Sequence, residues 1–221
     1  MQILSGYYLY AMYNLAHFKA ASQKEVIEFM KAHPFITLCG VDENNSPVAT
    51  HVPVIIEERD NKFFIHAHVM RKQQHTAAFE KNDNVLCVFS GAHTYVSATW
   101  YAKQNEASTW NYQAVHAKGK LNFLGDDELH ALLTKLTDTF EGNPHSPASV
   151  KNMDKEYISQ MMKAIVAFEI EIMEIQHVFK LSQNKEKETY DSIANHLSKG
   201  DNEATQVAEI MNERKDKVFP A

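Results

Sequence analysis

With 221 residues, 44% hydrophobic and 23% charged, the chain can bury a full core and has the composition of an ordinary soluble globular protein. A formal net charge of −6 argues against broad binding to a nucleic-acid backbone, though it leaves room for a local basic patch. No apolar run nears the roughly 18 residues a membrane helix needs, and the N-terminus lacks the pattern of a secretory leader, so a cytoplasmic protein is expected.

Ser22 and Glu25 have capping-box spacing ahead of Val26, Ile27, Phe29 and Met30, which predicts a helix that Pro34 stops. Phe35 to Val41 reads as a strand, Asp42 to Pro47 as a turn, and Val48 to Glu58 as one long strand. A further strand, Phe63 to His68, leads through Met70-Arg71-Lys72 into a short amphipathic helix carrying Ala77, Ala78 and Phe79. A phosphate dianion is best met by fixed cations beside a helix start, which makes Arg71 and Lys72 candidates, although exposed cations are more often simply solvated. His66 and His68 share one strand face and could hold a metal, but a pair without a third ligand is a weak signal. Cys39 and Cys87 lie in apolar runs and read as buried thiols, not as a disulfide.

Val85 to Phe89 is an apolar strand closed by Ser90-Gly91, and Tyr112 to Leu121 forms a second strand-like run. Around and between them lie Tyr95, Trp100, Tyr101, Trp110 and Tyr112, interleaved with His93, Ser97, Thr99, Thr109 and Asn111. Flat rings beside polar groups suit a planar heteroaromatic ligand, while an aromatic core is the commoner outcome of such composition. Beyond this stretch, Asp126 or Asp127 can cap a helix carrying Leu129, Leu132, Leu133, Leu136 and Phe140 on one face. Gly142 to Ser149 is expected to be a surface loop, and Tyr157, Ile158, Met161, Met162 and Ile165 stripe another helix. Val166, Phe168, Ile170 and Ile172 alternate with Glu169 and Glu171 as a half-solvated strand. Two last helices, about Glu186–Leu197 and Glu203–Arg214, resemble a helix-turn-helix in outline, but Glu203, Glu209 and Glu213 on the second would repel phosphate. They read as a packing or dimerisation appendage. No glycine fingerprint of a dinucleotide fold follows a strand, so a nicotinamide site is not legible.

The strings AHTYVSATWY at 92–101, TWNYQAVHAKGKL at 109–121 and KLSQN at 180–184, with Met12-Tyr13 and His17-Phe18, occur in a recognisable order. The chain resembles the PaiB family of FMN-binding negative transcriptional regulators, related to the split-barrel flavoproteins, over about residues 12 to 215. Leu15, Ala98 and Ser108 stand where that family usually has proline, and Gln73-Gln74 replace its Asn-Pro. The resemblance implies an α+β fold, an antiparallel split β-barrel (the FMN-binding split barrel) with peripheral helices and a C-terminal helical appendage. Residues 1–11 would then be an extension or a start assigned too early, 12–184 the barrel domain and 185–221 the appendage. FMN is the implied cofactor, held in a homodimer at the subunit interface. His51, His68, Arg71 and Lys72 would lie near the phosphate and ribityl chain. Trp100, Trp110, Asn111, Tyr112 and His116 would approach the ring, partly from the partner chain, and Lys180, Ser182 and Gln183 would donate to its polar edge. The implied function is a redox-linked flavin-binding regulator. The alternatives are a flavin-dependent oxidoreductase or reductase and a haem-binding or haem-degrading barrel. Whether it is an enzyme stays open, as does DNA as a partner, which the charge does not support.

Overall fold

The computed structural model describes residues 12–220 except 14, 104 and 144, and the reading of residues 1–11 as a dispensable extension lies outside them. Among the described residues, seven strands form one sheet of order β2-β1-β5-β6-β7-β4-β3. They are β1 (Phe35–Val41), β2 (Pro47–Pro53), β3 (Ile55–Arg59), β4 (Lys62–Met70), β5 (Asn84–Val96), β6 (Thr109–Phe123) and β7 (Ile165–Lys180). Six helices accompany them: α1 (Gln23–Ala32), α2 (Gln74–Lys81), α3 (Asp126–Glu141), α4 (Lys155–Met162), α5 (Lys187–Leu197) and α6 (Asn202–Val218). The fold is the expected α+β antiparallel split barrel with peripheral helices. No helix of the described residues is long and apolar enough to cross a membrane.

The chain divides into two compact units, one of Ile27–Phe89 with His116–Ile175, the other of the residues up to Val26, Ser90–Val115 and those from Gln176 onward. In the first, alternation along β4 turns Ile65, Ala67 and Val69 inward, all at most 4% exposed, and puts His66 and His68 on the other face. Leu129, Leu132 and Leu136 of α3 pack on Ile165 and Ala167 of β7, which is what their spacing of three and four requires. Gly119 of β6 is obligatory by contact, because a Cβ there would lie 2.2 Å from the Glu171 carbonyl oxygen. Cys39 and Cys87 are free thiols on neighbouring strands, and burial pushes the Cys87 thiol pKa up.

In the second unit, Tyr190, Ile193 and Leu197 of α5 and Ala204, Val207, Ala208 and Met211 of α6 build a core with Ala92, Val96, Tyr101 and Leu181. The Tyr190 hydroxyl donates to the Met211 carbonyl at 2.7 Å, and burial pushes its pKa up to about 12. The Ser22 half of the expected capping box forms, Glu25 N–H donating to Ser22 Oγ at 3.2 Å, while the Glu25 carboxylate accepts from the N–H of Ala21, one residue earlier, at 2.7 Å.

Several boundaries differ from the expectation. β5 does not close at Ser90-Gly91 but runs on to Val96, and its buried positions shift phase there, from Val85, Cys87 and Phe89 to Ala92 and Val96. The strand expected from Val48 to Glu58 is two, because Val54 N–H turns away to the Pro34 carbonyl at 2.8 Å. Gly125, not an aspartate, caps α3, and Asp126 and Asp127 sit in its first turn, where the helix dipole favours them. In the loop after α3, Ser146 and Ser149 are buried, bonded to Glu141 and Asp138 at 2.8 Å each.

Candidate functional site

In the unit of Ile27–Phe89 and His116–Ile175, the end of β4 delivers Met70, Arg71 and Lys72. The turn is pinned from both sides: Arg71 N–H donates to the Ala164 carbonyl at 2.9 Å, and Thr76 Oγ1 donates to the Met70 carbonyl at 2.7 Å. Two clefts share Arg71 and Lys163. One, of about 310 Å³, is lined by Met70, Lys72, Gln73 and Gln160. The other, of about 480 Å³, adds Asp126, His130, Lys155 and Ser159 over Ile158 and Met162. Gln73 precedes α2 without a side-chain cap bond, so that helix begins with its N–H groups uncapped from within.

The charge here is unbalanced. Several other cations of this unit are matched: Arg59 with Glu169 at 3.3 Å, Lys62 with Glu171 at 2.6 Å, Lys120 with Asp83 at 2.7 Å. Lys72, Lys155 and Lys163 have no carboxylate partner among the described residues, and Arg71 has Asp126 at 2.9 Å, a side chain 79% exposed. In a chain of net charge −6, such a concentration of positive charge suits an anion.

His51 and His68, expected near the phosphate, and His116, expected near the ring, lie on strands and line neither cleft. His51 is exposed on β2, opposite Thr37, with its ring 6.1 Å from that of Phe35. His68, opposite Ala167, is half-buried with Nδ1 unpartnered, and burial lowers its pKa. His116 is half-buried on β6, its pKa lowered by burial and then by Lys118. His66 lies 3.4 Å from the Glu57 carboxylate, and among the described residues no three metal-ligating side chains gather around it or elsewhere.

In the other unit the aromatic stretch divides in two. Trp110 is 51% exposed and Tyr95 48%, their rings 6.0 Å apart, and the His93 ring lies 6.2 Å from Trp110. Trp100 stacks on His196 at 5.0 Å with planes 9° apart, and its carbonyl accepts from Ser192 Oγ at 2.8 Å. Tyr101 is buried in the core with α5 and α6, and Tyr112 is half-buried, its hydroxyl pKa raised by that burial. Asn111 is fully buried: its Oδ1 accepts from Ser182 Oγ at 3.0 Å, and its Nδ2 points at Met211 Sδ at 3.5 Å. Ser182 holds a left-handed φ of 61° that turns the chain off β7. Gln183 clamps the same corner, accepting from Leu181 N–H at 2.7 Å and donating to the Phe179 carbonyl at 2.5 Å. Lys180 donates to Thr109 Oγ1, and burial followed by Lys185 lowers its pKa. Asn111, Ser182 and Gln183 thus spend their polar atoms bracing the end of β7.

Comparison with known proteins decides the lineage. The family profile described as "Putative FMN-binding domain" matches residues 12–174. "Protease synthase and sporulation protein PAI 2" of Bacillus subtilis is 33% identical over 204 residues, 92% of this chain and 98% of that protein. The chain belongs to this family. Among solved structures, the conserved hypothetical protein Rv2991 of Mycobacterium tuberculosis matches with TM-score 0.55 at 15% identity, over 76% of this chain and 90% of that one. The FAD and heme binding protein of Mycobacterium smegmatis matches with TM-score 0.55 at 16% identity, over 73% of this chain and 72% of that one. At such identities these two likenesses establish the split-barrel fold alone.

Gln73-Gln74 stand in place of the family's Asn-Pro, and α2 begins at Gln74 all the same. Sequence reasoning missed Lys155, Ser159 and Lys163, although their spacing of four and four puts them on one face of α4. The apolar stripe of the same helix, Ile158 and Met162, drew the reading instead.

Proposed function

We propose that the chain binds flavin mononucleotide, with the phosphate held by Arg71 and Lys72, and acts as a flavin-responsive negative regulator of transcription. The observation that carries this reading is the unneutralised cleft at the end of β4, in a member of the FMN-binding family. A phosphate dianion fits the donor set present: an Arg fork whose only carboxylate partner is exposed, an unpaired lysine, and the uncapped start of α2 beside them. When bound, flavin supplies reversible electron acceptance, and the chain's part is to hold and orient it. The regulatory half of the reading leans on the likeness to PAI 2, whose name ties that protein to protease synthesis and sporulation.

Two copies pair so that the aromatic group of Trp110 and Tyr95 in one subunit covers flavin held by Arg71 in the other. The exposure of both rings supports this, since large apolar faces are seldom left to water. The chromophore tests the ligand: absorption of the purified protein at about 450 nm indicates flavin and about 400 nm haem. NAD(P)H consumption then separates an oxidoreductase from a regulator. For the shared site, Arg71→Ala and Trp110→Ala proteins are mixed, each defective alone. Roughly half of the mixed dimers should regain one intact site, and no recovery would exclude sharing.

A further inference from the structure

We propose that the cleft between α3 and α4 is a binding site in its own right for a small phosphate ester with an apolar body, separate from the seat of the flavin phosphate. Its volume, about 480 Å³, falls in the range of small-molecule sites. Two elements send cations into it: Arg71 from the end of β4, and Lys155 and Lys163 from opposite ends of α4, while α3 contributes Asp126 beside Arg71. With Asp126 on Arg71, the two lysines leave the lining with a surplus of positive charge that an anion would balance. The single carboxylate of the lining, Asp126, occupies Arg71 at 2.9 Å, where a ligand phosphate would otherwise sit. Asp126 is therefore a competitor, not a partner, of the ligand.

The chemistry narrows the ligand. Convergent cations, with the Ser159 hydroxyl and His130 at the wall, favour a dianion over a single carboxylate. Ile158, buried, and Met162, half-buried, make an apolar floor that bare inorganic phosphate would leave in water. A phosphate monoester with a compact apolar substituent answers both. Arg71 and Lys163 border both clefts, whereas Lys155, Ser159 and His130 line this one alone.

The test titrates phenyl phosphate, with inorganic phosphate as the comparison, into the full chain by calorimetry, both flavin-free and saturated with FMN. Phenyl phosphate should bind in both states, more weakly with FMN present because both ligands draw on Arg71, and more tightly than inorganic phosphate. Lys155→Gln should weaken it by about five- to tenfold, and Asp126→Asn should tighten it severalfold by removing the competitor. Lys155 and Asp126 are exposed, so both variants fold, and Lys155→Gln should keep wild-type FMN affinity. Absence of binding at millimolar phenyl phosphate, or a Lys155→Gln protein that binds as wild type, overturns the proposal. So does loss of phenyl phosphate binding on FMN saturation, which would make the cleft the flavin's own phosphate seat. If FMN fails to bind at all, the flavin reading falls while the flavin-free titration still decides this one.

Discussion

Replacing Asn111 with alanine tests whether this buried amide braces the barrel end or touches the ligand. Its carboxamide oxygen is the acceptor for Ser182 Oγ at 3.0 Å, and Ser182 is only 2% exposed. Alanine strands that hydroxyl without water to replace its partner, at a cost of about 1–3 kcal/mol. The volume vacated beside Met211 adds about 1 kcal/mol. The sum, about 2–4 kcal/mol, lowers the melting temperature by roughly 4–16 °C for a chain of this length. Ser182→Ala alone leaves the Asn111 oxygen unpaired, whereas the double variant leaves neither group stranded.

Urea unfolding of the two single variants and the double closes the cycle. The double should cost less than the two singles together by about 1 kcal/mol or more, because the second change removes a group the first had orphaned. Flavin affinity of the folded Asn111→Ala protein, measured well below its melting temperature, should equal that of wild type. Additive costs would show that the pair is not coupled. A large fall in flavin affinity with little loss of stability would place Asn111 against the ligand and refute the bracing role.

Arg71→Ala should weaken FMN binding by about 1.5–3 kcal/mol, read by fluorescence titration, and an unchanged dissociation constant removes Arg71 from the phosphate seat. Gly119→Ala forces a Cβ to within 2.2 Å of the Glu171 carbonyl and 2.6 Å of Ile170 Cγ2, so it should cost about 1–3 kcal/mol, and a wild-type melting curve would show that β6 and β7 part freely. His177 Nε2 accepts from Ala20 N–H at 2.9 Å, and burial first, then Lys19, hold its pKa below 6.5 against the opposing pull of Glu25. The unfolded chain takes up a proton that the folded chain refuses, so this contribution is complete above pH 6.5 and is lost as pH falls below it. Urea midpoints should drop between about pH 7.5 and about pH 5.5, and less so in His177→Gln; an equal drop in the variant would clear His177 of the effect.

What could be read from sequence follows the range of the interactions that set it. β1 is bounded by Pro34 and Asp42 and filled with apolar residues, so local pattern suffices and its limits agree to the residue. Ser90-Gly91 misled because small residues mark chain reversal locally, while the pairing that carries β5 past them comes from strands far away in sequence. Between 97 and 108 no period of two or 3.6 survives, so nothing local tells that Tyr101 is buried while Trp110 and Tyr95 are half exposed. The resemblance named Arg71 and Lys72, but Lys155 and Lys163 join them only through the packing of α4, some 80 to 90 residues further along.

The placement of charge also bears on how a regulator with this chain would act. α6 carries Glu203, Glu209, Glu213 and Asp216, and two of its cations are committed: Arg214 to Glu25 and over the Phe179 ring, Lys215 to Asp191 at 2.7 Å. To approach a phosphate backbone, that helix would have to break those ion pairs and bring four carboxylates with it, and the opposite face is already core. Lys72, Lys155 and Lys163, which have no carboxylate partner among the described residues, line pockets of about 310 and 480 Å³. Spaces of that size admit the phosphate of a small molecule and exclude a duplex. Under the proposed function, α6 is therefore not the element that would read a DNA groove. The same charges predict that R71A and K155Q alter ligand binding without changing the salt dependence of any DNA retention the protein shows.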